Sequence, residues 1–435
     1  GWSNGMRNER RRRAWWGVIS GLVLLLLAAC VAPAPSPIPS PLPTEPLPSP
    51  TPTPPLPGPL INILTLWLPE DLSPYRDGGG ADLLAGRLAD FGVAHPDLQV
   101  QVIVKKSRGR GGVLDFLRTA SVAAPSILPD LVVLDEADLP VAVQAGLLQP
   151  MDGCIPPDLE ADLFPFAIGL GRVGDATFGL PLAAELQHLA YSPALLPSPP
   201  ASWSDVLSTG LPLCFPAAGE NGVADDFTFV QYLGAGGRLM DEEGNPMLEE
   251  GPLTAVLDFY VQATAAGVIS PPVVLSAGTD EECWAHFQQE RGMTVVDSRR
   301  FWTEWEGAAE PGPIPTRDGR PVALAEGWVL ALVTTSPEQQ QRAMALAAWL
   351  LDPSWYGTWT RSTGYLPVTR SGLEGWTVSE EQREVLMAVL AGARPIPPRS
   401  VRERVGPLLQ SAIEAVLQGR QSPAEAAARA AQSIR

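Results

Sequence analysis

Apolar positions along the chain fall into three regimes. Trp15 to Leu27 is a nearly unbroken apolar run, Val31 to Pro59 is dominated by proline, and from Leu60 onward apolar residues recur with the periods of strands and helices. In that third regime Ile61 to Trp67 is an apolar, β-branched-containing run, which predicts a buried strand. Leu83, Leu84, Leu88 and Phe91 fall at helical spacing, so a helix follows. Val100, Val102 and Val104 predict a second strand, Leu114 to Ala124 a second helix, and Asp130 to Leu134 a third strand. Strands alternating with helices indicate parallel βαβ units and an α/β fold. In such sheets ligands bind beyond the carboxyl ends of the strands. That places Trp67, Glu70 and Asp71 after the first strand, and Asp135 and Glu136 after the third, near a possible site. The same residues could equally serve as caps and solvated loop positions.

The first regime reads as an address. Arg10 to Arg13 precede the apolar run and Leu27-Ala28-Ala29-Cys30 closes it. The run is short for a membrane span and suits the apolar segment of a secretory signal. The closing tetrapeptide resembles the lipobox of bacterial lipoproteins. That resemblance implies a signal peptide over 1–29 and a lipidated Cys30 that tethers the chain to the cell membrane, at the cell surface or in a periplasm. Between Val31 and Pro59, 14 of 29 residues are proline, too many to pack a core. The stretch 30–59 is expected to run as an extended linker reaching up to about 90 Å at 3.1 Å per residue. The folded part begins near Leu60.

Composition narrows the chemistry. The chain has 435 residues, 45% of them apolar, enough for two or three domains. Its 48 acidic side chains outnumber 30 basic ones, and removing residues 1–29 leaves 47 against 25, so nucleic-acid backbones are poor partners. Three distant histidines and no CxxC pair give no support for a metal or haem site. Lys105 and Lys106 lie outside any P-loop, and no GxSxG elbow occurs. Gly169-Leu-Gly-Arg-Val-Gly174 fits GxGxxG, yet no helix pattern follows to receive a pyrophosphate, so it reads as a glycine-rich loop. Arg108-Gly-Arg-Gly-Gly112 reads as a turn, and Asp225-Asp226 as chance adjacency in an acidic chain. Cys154, Cys214 and Cys283 allow at most one bridge among themselves, with Cys154–Cys214 the expected pair.

A collinear set of short motifs runs through the rest of the chain. Leu64-Thr-Leu-Trp67, Phe91 through His95-Pro96, and Pro129-Asp-Leu-Val-Val-Leu134 come first, followed by Ala145-Gly-Leu-Leu-Gln-Pro-Met-Asp152. Phe178-Gly-Leu-Pro181 with Tyr191, Pro200-Ala-Ser-Trp203, Gly234-Ala-Gly-Gly237 and Gly292-Met293 continue it. Glu326-Gly-Trp328, Gly364-Tyr-Leu-Pro367 and a C-terminal helix pair around Val416–Gly419 and Ser422–Ala426 complete it. In order and spacing the chain resembles extracellular solute-binding proteins of family 1, the maltose-binding-like class that serves ABC importers.

That resemblance implies a periplasmic-binding-protein-like fold of type II: two α/β lobes with parallel-rich sheets, joined by a hinge of several strands. One lobe would comprise 60–176 plus 331–375 and the other 177–330 plus 376–435. The lobes would close on a solute in the cleft and the closed form would dock on permease subunits. The chain would act as a monomer, without cofactor and without chemistry on the solute. A sugar site needs aromatic faces with convergent polar groups. The resemblance points to Trp67 and Asp71 at the first-strand tip, Glu185 four residues after Pro181, and Trp328 at the second hinge crossing. Trp302 after the Gly292-Met293 strand, Tyr365 before the Leu366-Pro367 turn, and Asp135 complete the expected set. Trp203, Trp349 and Trp376 are expected to pack within the lobes. The maltodextrin branch carries an aromatic platform where this chain has Gly406-Pro407, which argues against a maltodextrin ligand. Asp71, Asp135 and Glu185 would also suit a cationic solute such as a polyamine, and a surface sensor or enzyme on the same fold stays open.

Overall fold

The computed structural model describes residues 61–304 and 307–434; the signal peptide, Cys30 and the proline-rich linker lie outside the described residues. The five elements predicted at the start of the folded part are present. They are β1 (Asn62–Pro69), a helix over Gly79–Ala94, β2 (Leu98–Lys105), a helix over Val113–Ala123, and β3 (Leu131–Asp135). β1 pairs in parallel with both β2 and β3, as right-handed βαβ units require. All five residues of β3 are buried, which explains why its sequence is an unbroken apolar run rather than an alternation.

The glycine-rich stretch at 169–174 itself enters a hairpin of two-residue strands, β4 (Arg172–Val173) and β5 (Ala176–Thr177), turning at Gly174 with φ 62°. No helix follows it to form a dinucleotide cradle. The remaining strands are β6 (Leu180–Tyr191), β7 (Leu213–Cys214), β8 (Met293–Asp297), β9 (Glu310–Gly312), β10 (Ala323–Leu332) and β11 (Ala393–Pro395).

Among the described residues the main sheet runs β2-β1-β3-β10-β6-β8-β7, with β11 on β10 and β9 on β6. It is parallel toward its two edges and antiparallel in the middle, where the two long strands β6 and β10 enter. These strands link two hydrophobic cores. In β6, Leu186 belongs to the core built on Leu64, Leu134 and Phe166, whereas Leu189 belongs to the one built on Phe215, Phe227 and Tyr260. In β10, Val329 lies in the first core and Leu324 in the second. The fold is therefore mixed α/β with two packed halves sharing crossing strands. The helix Glu380–Gly392 lends Leu386 and Leu390 to the first core, and the helix Arg399–Leu417 lends Val405, Leu409 and Ile413 to the second.

Two glycines fix close approaches. A Cβ on Gly327 would sit 2.1 Å from the carbonyl oxygen of Ala183, so β10 can lie against β6 at this point only without a side chain. The register then shifts between Trp328 and Val329, a bulge that re-aims Trp328. The carbonyl of Leu182 beside the bulge accepts a hydrogen bond from Tyr356 Oη at 2.8 Å. On Gly406 a Cβ would lie 2.4 Å from Val223 Cγ1, and its carbonyl accepts from Ala224 N at 3.2 Å. The helix interior at Gly406-Pro407 thus presses on the 223–224 segment and leaves no room for a ring.

Trp203 stacks on Phe259, Trp349 donates from Nε1 to Arg87 O, and Trp376 donates to Thr360 Oγ1, so all three pack as expected. The cysteine expectation is corrected. Cys154 is exposed, whereas Cys214 is buried with its sulfur against Cys283, so Cys154 and Cys214 do not form a pair.

Candidate functional site

Strand register brings the candidate residues together. Trp328 of β10 stands opposite Asp135 at the end of β3, and Glu326 of β10 stands opposite Glu185 of β6. Asp135 ends β3 and caps the short turn behind it, accepting from Ala137 N at 3.0 Å. Its other oxygen takes a hydrogen bond from Arg108 Nε, and the two form an ion pair. The Arg108 guanidinium lies 5.1 Å from the centre of the Trp328 ring. Trp328 Nε1 in turn donates to Tyr365 Oη at 3.0 Å, and Arg299 lies 4.4 Å from the centre of the Tyr365 ring. Asp135, Glu185, Trp328 and Tyr365 therefore form one cluster, and Arg108, Arg299 and Glu326 belong to it.

Two cavities flank this cluster. One of about 660 Å³ is lined by Arg108, Asp135, Asp138, Glu185, Glu326 and Arg399, among others. The other, of about 210 Å³, is lined by Asp71, Arg76, Arg299 and Trp359 together with Gly78–Gly80 at the start of the first helix. Asp71 also faces Arg76 at 3.8 Å, and its backbone N–H donates to Ser107 Oγ, 3.2 Å away.

Carboxylates crowd the centre. Burial, then Asp297 and Glu326, raise the Glu185 carboxyl well above the usual range. Glu326 is pushed up to about 7 by burial and by Asp226 and Asp135. Glu136 is raised by burial and by Asp135, and its Oε2 is buried without a hydrogen-bond partner. At the second-core side, Asp297 is pushed up to about 6 by burial and by Asp280. Two like charges directly opposite across a strand pair repel, and Arg108 is the cation that acts on Glu185, Glu326 and Asp135 together.

None of the four expected aromatics lines either cavity: Trp328 and Tyr365 lie behind the lining in the cluster, and Trp67 and Trp302 lie outside it. Trp67 is buried under Lys105 at 4.9 Å, edge-on to Phe116, and its Nε1 has no hydrogen-bond partner. Trp302 packs edge-on against Trp376 beneath Arg361. All four expected aromatics are thus buried, and each has a cation over its ring.

The sequence reading did not single out Arg108, Glu326 or Arg299. Arg108 lies in the stretch taken as a turn, and its local signal is indeed that of a turn, with Gly109 and Gly111 at positive φ. Glu326 opens the motif Glu326-Gly-Trp328, from which only the tryptophan is read as a site residue; the register of β10 on β6 sets Glu326 against Glu185. Asp225, taken as chance adjacency, caps the helix Asp226–Gly234 and accepts from Gln187 Nε2 at 3.0 Å, while Asp226 pairs with Arg402 at 2.5 Å.

The profile of the family described as bacterial extracellular solute-binding protein matches residues 88–381. A protein of Brucella abortus (strain 2308), named only as a binding protein, is 21% identical over 318 residues, covering 68% of this chain and 76% of that one. A Brucella suis biovar 1 (strain 1330) relative shows the same figures. Among solved structures, the cyclic alpha-maltosyl-1,6-maltose binding protein of Arthrobacter globiformis superposes with a TM-score of 0.69 at 20% identity, over 86% of this chain and 98% of that one. The sugar-binding protein MalE of Xanthomonas citri gives 0.69 at 18% identity, over 86% and 96%. A family 1 extracellular solute-binding protein of Alicyclobacillus acidocaldarius gives 0.67 at 15% identity, over 86% and 98%. At such identity the likeness concerns the fold.

Proposed function

The chain belongs to the bacterial extracellular solute-binding proteins, and within that family we propose that it binds a carbohydrate between its two halves and hands it to the permease of an ABC importer. The observation that carries the sugar reading is the cluster at the crossing strands. Buried aromatic rings (Trp328, Tyr365) meet convergent carboxylates and arginines there (Asp135, Glu185, Glu326, Arg108, Arg299) beside a cavity of about 660 Å³. Sugars offer apolar C–H faces ringed by hydroxyls, and such a mixture suits both. Among the solved structures of like fold, several are named for sugars they bind.

The family's name sets the chain outside the cytoplasm. Among the described residues no helix is long and apolar enough to cross a membrane. We assign attachment to the N-terminal lipid on Cys30, and take the halves as the two packed cores, with the helix Glu380–Gly392 on the first and the helix Arg399–Leu417 on the second. The proposed solute site then comprises Asp71, Asp135, Glu185, Trp328 and Tyr365, extended by Arg108 and Glu326, with Trp67 and Trp302 packed outside it.

One observation favours a second reading. Glu185 faces Glu326 with Asp135 and Glu136 close by, a surplus of carboxylate that would suit a solute carrying an ammonium group. Thermal melting against sugars, amino sugars, polyamines and amino acids separates the two. A ligand at 100 times its Kd adds about 2.7 kcal/mol and raises the melting point. A neutral sugar hit lost in Trp328→Ala supports the first reading; a hit restricted to amines and lost in Glu185→Gln supports the second. No stabilisation by any of these solutes would overturn both.

A further inference from the structure

Cys214 and Cys283 stand 69 positions apart in sequence with their sulfurs 2.6 Å apart. Cys214 ends β7, and Cys283 sits in the first turn of the helix Asp280–Glu290, which Thr279 and Glu282 start with a capping box. Both are buried, in a small apolar cluster of their own with Ala277 and Val273. The only other cysteine among the described residues, Cys154, is exposed and lies beside Met151 of the first core.

We propose that Cys214 and Cys283 are joined by a disulfide formed on export, which staples the edge of the sheet to the helix Asp280–Glu290. Four observations carry it. The sulfurs meet without any intervening group. Both elements that carry them are regular, so the pairing is a product of the fold and not of a loop's position. The family is extracellular, and disulfides persist outside the reducing cytoplasm. And β7 is the place in the sheet that needs a staple: it is the last strand in the order, two residues long, and held by only two register positions on β8. Short edge strands are weakly secured by their own hydrogen bonds.

The bridge also bears on the candidate site. The stapled helix begins with Asp280, which accepts from Asp297 N at 2.8 Å and lies 3.7 Å from Arg300 Nε. Asp297 ends β8 opposite Gln187 of β6, two residues from Glu185. Fixing the start of the helix therefore fixes Asp280 and, through it, the Asp297 end of β8 beside the carboxylate cluster.

In the oxidation both S–H bonds break and one S–S bond forms. Two electrons and two protons pass to the disulfide of an extracytoplasmic thiol–disulfide oxidant, which leaves as a dithiol. Exchange proceeds by thiolate attack. Both sulfurs are buried in the folded chain, which places the exchange before packing closes over the pair.

The test uses the full chain recovered from the extracytoplasmic fraction of a bacterial host. The protein is denatured without reductant, alkylated, digested and mapped by mass spectrometry. The expected result is a Cys214 peptide linked to a Cys283 peptide, separable by reductant, with Cys154 alkylated. Alkylation of both Cys214 and Cys283, or a link from either to Cys154, overturns the proposal. Melting supplies an independent reading. Wild-type protein refolded under reductant should melt several degrees below the exported form, and Cys214→Ala/Cys283→Ala should show no such dependence. Equal melting of reduced and exported wild type would count against it, even if the double variant failed to fold.

Discussion

Glu185 and Glu326 face each other across β6 and β10, and burial together with neighbouring carboxylates raises both. The sign of the consequence follows from linkage. A carboxyl whose folded value lies above its unfolded one keeps its proton longer in the fold. Its stabilising contribution is therefore complete below the unfolded value and is lost as pH rises through the folded one. For Glu326 that window runs from 4.5 to about 7, and a shift of that size corresponds to about 3 kcal/mol. Asp225, also pushed up to about 7, by burial and Asp226, acts in the same direction. Melting temperature should fall between pH 5 and pH 8, and Glu326→Gln should flatten the slope and raise the value at pH 8. A profile that climbs over this range in scanning calorimetry would contradict the crowding described. Tyr365→Phe tests the other half of the cluster: Trp328 Nε1 loses its acceptor in a buried place, at a cost of about 1–3 kcal/mol. The tryptophan and tyrosine could be found in the sequence because they stand in the collinear motifs Glu326-Gly-Trp328 and Gly364-Tyr-Leu-Pro367 that carry the family resemblance. Arg108 could not, because its own neighbourhood specifies only a turn and its partner Asp135 lies 27 residues further on, beyond a helix.

At the level of elements, the early βαβ units were legible because each strand and helix shows its own period. The central strands were harder. β6 and β10 are buried along most of their length, so an apolar run is all they display, and nothing in such a run tells that one half belongs to a different core from the other. What marks the crossing is Gly327, whose missing side chain lets β10 meet the Ala183 carbonyl. Gly327→Ala forces backbone apart rather than a movable side chain, and should cost about 3 kcal/mol or more, read as a lowered denaturant midpoint. Gly406→Ala meets Val223 Cγ1 instead. That contact can yield in part, so about 1–2 kcal/mol is expected there, with the solute affinity unchanged. Should the two variants lose equal stability, the distinction between backbone and side-chain neighbours would be mistaken.

On the scale of the whole molecule, two cores share one sheet through two strands, an arrangement suited to bending at the crossing. Saturating solute should shrink the radius of gyration in small-angle scattering, and an unchanged radius with bound solute would argue against hinge closure. The class of fold was legible from the order of motifs, since collinearity survives where individual residues drift. The composition of the halves was less so, because the helix Glu380–Gly392 packs on the first core although its neighbour Arg399–Leu417 serves the second. One feature of the site bears on time rather than affinity. Trp328 and Tyr365 are each roofed by an arginine. A sugar that stacks on such a ring must first exchange with the cation above it, so capture proceeds by substitution and not by filling an open face. In stopped-flow tryptophan fluorescence the observed rate should then level off as solute concentration rises, with the plateau set by how fast the side chains step aside.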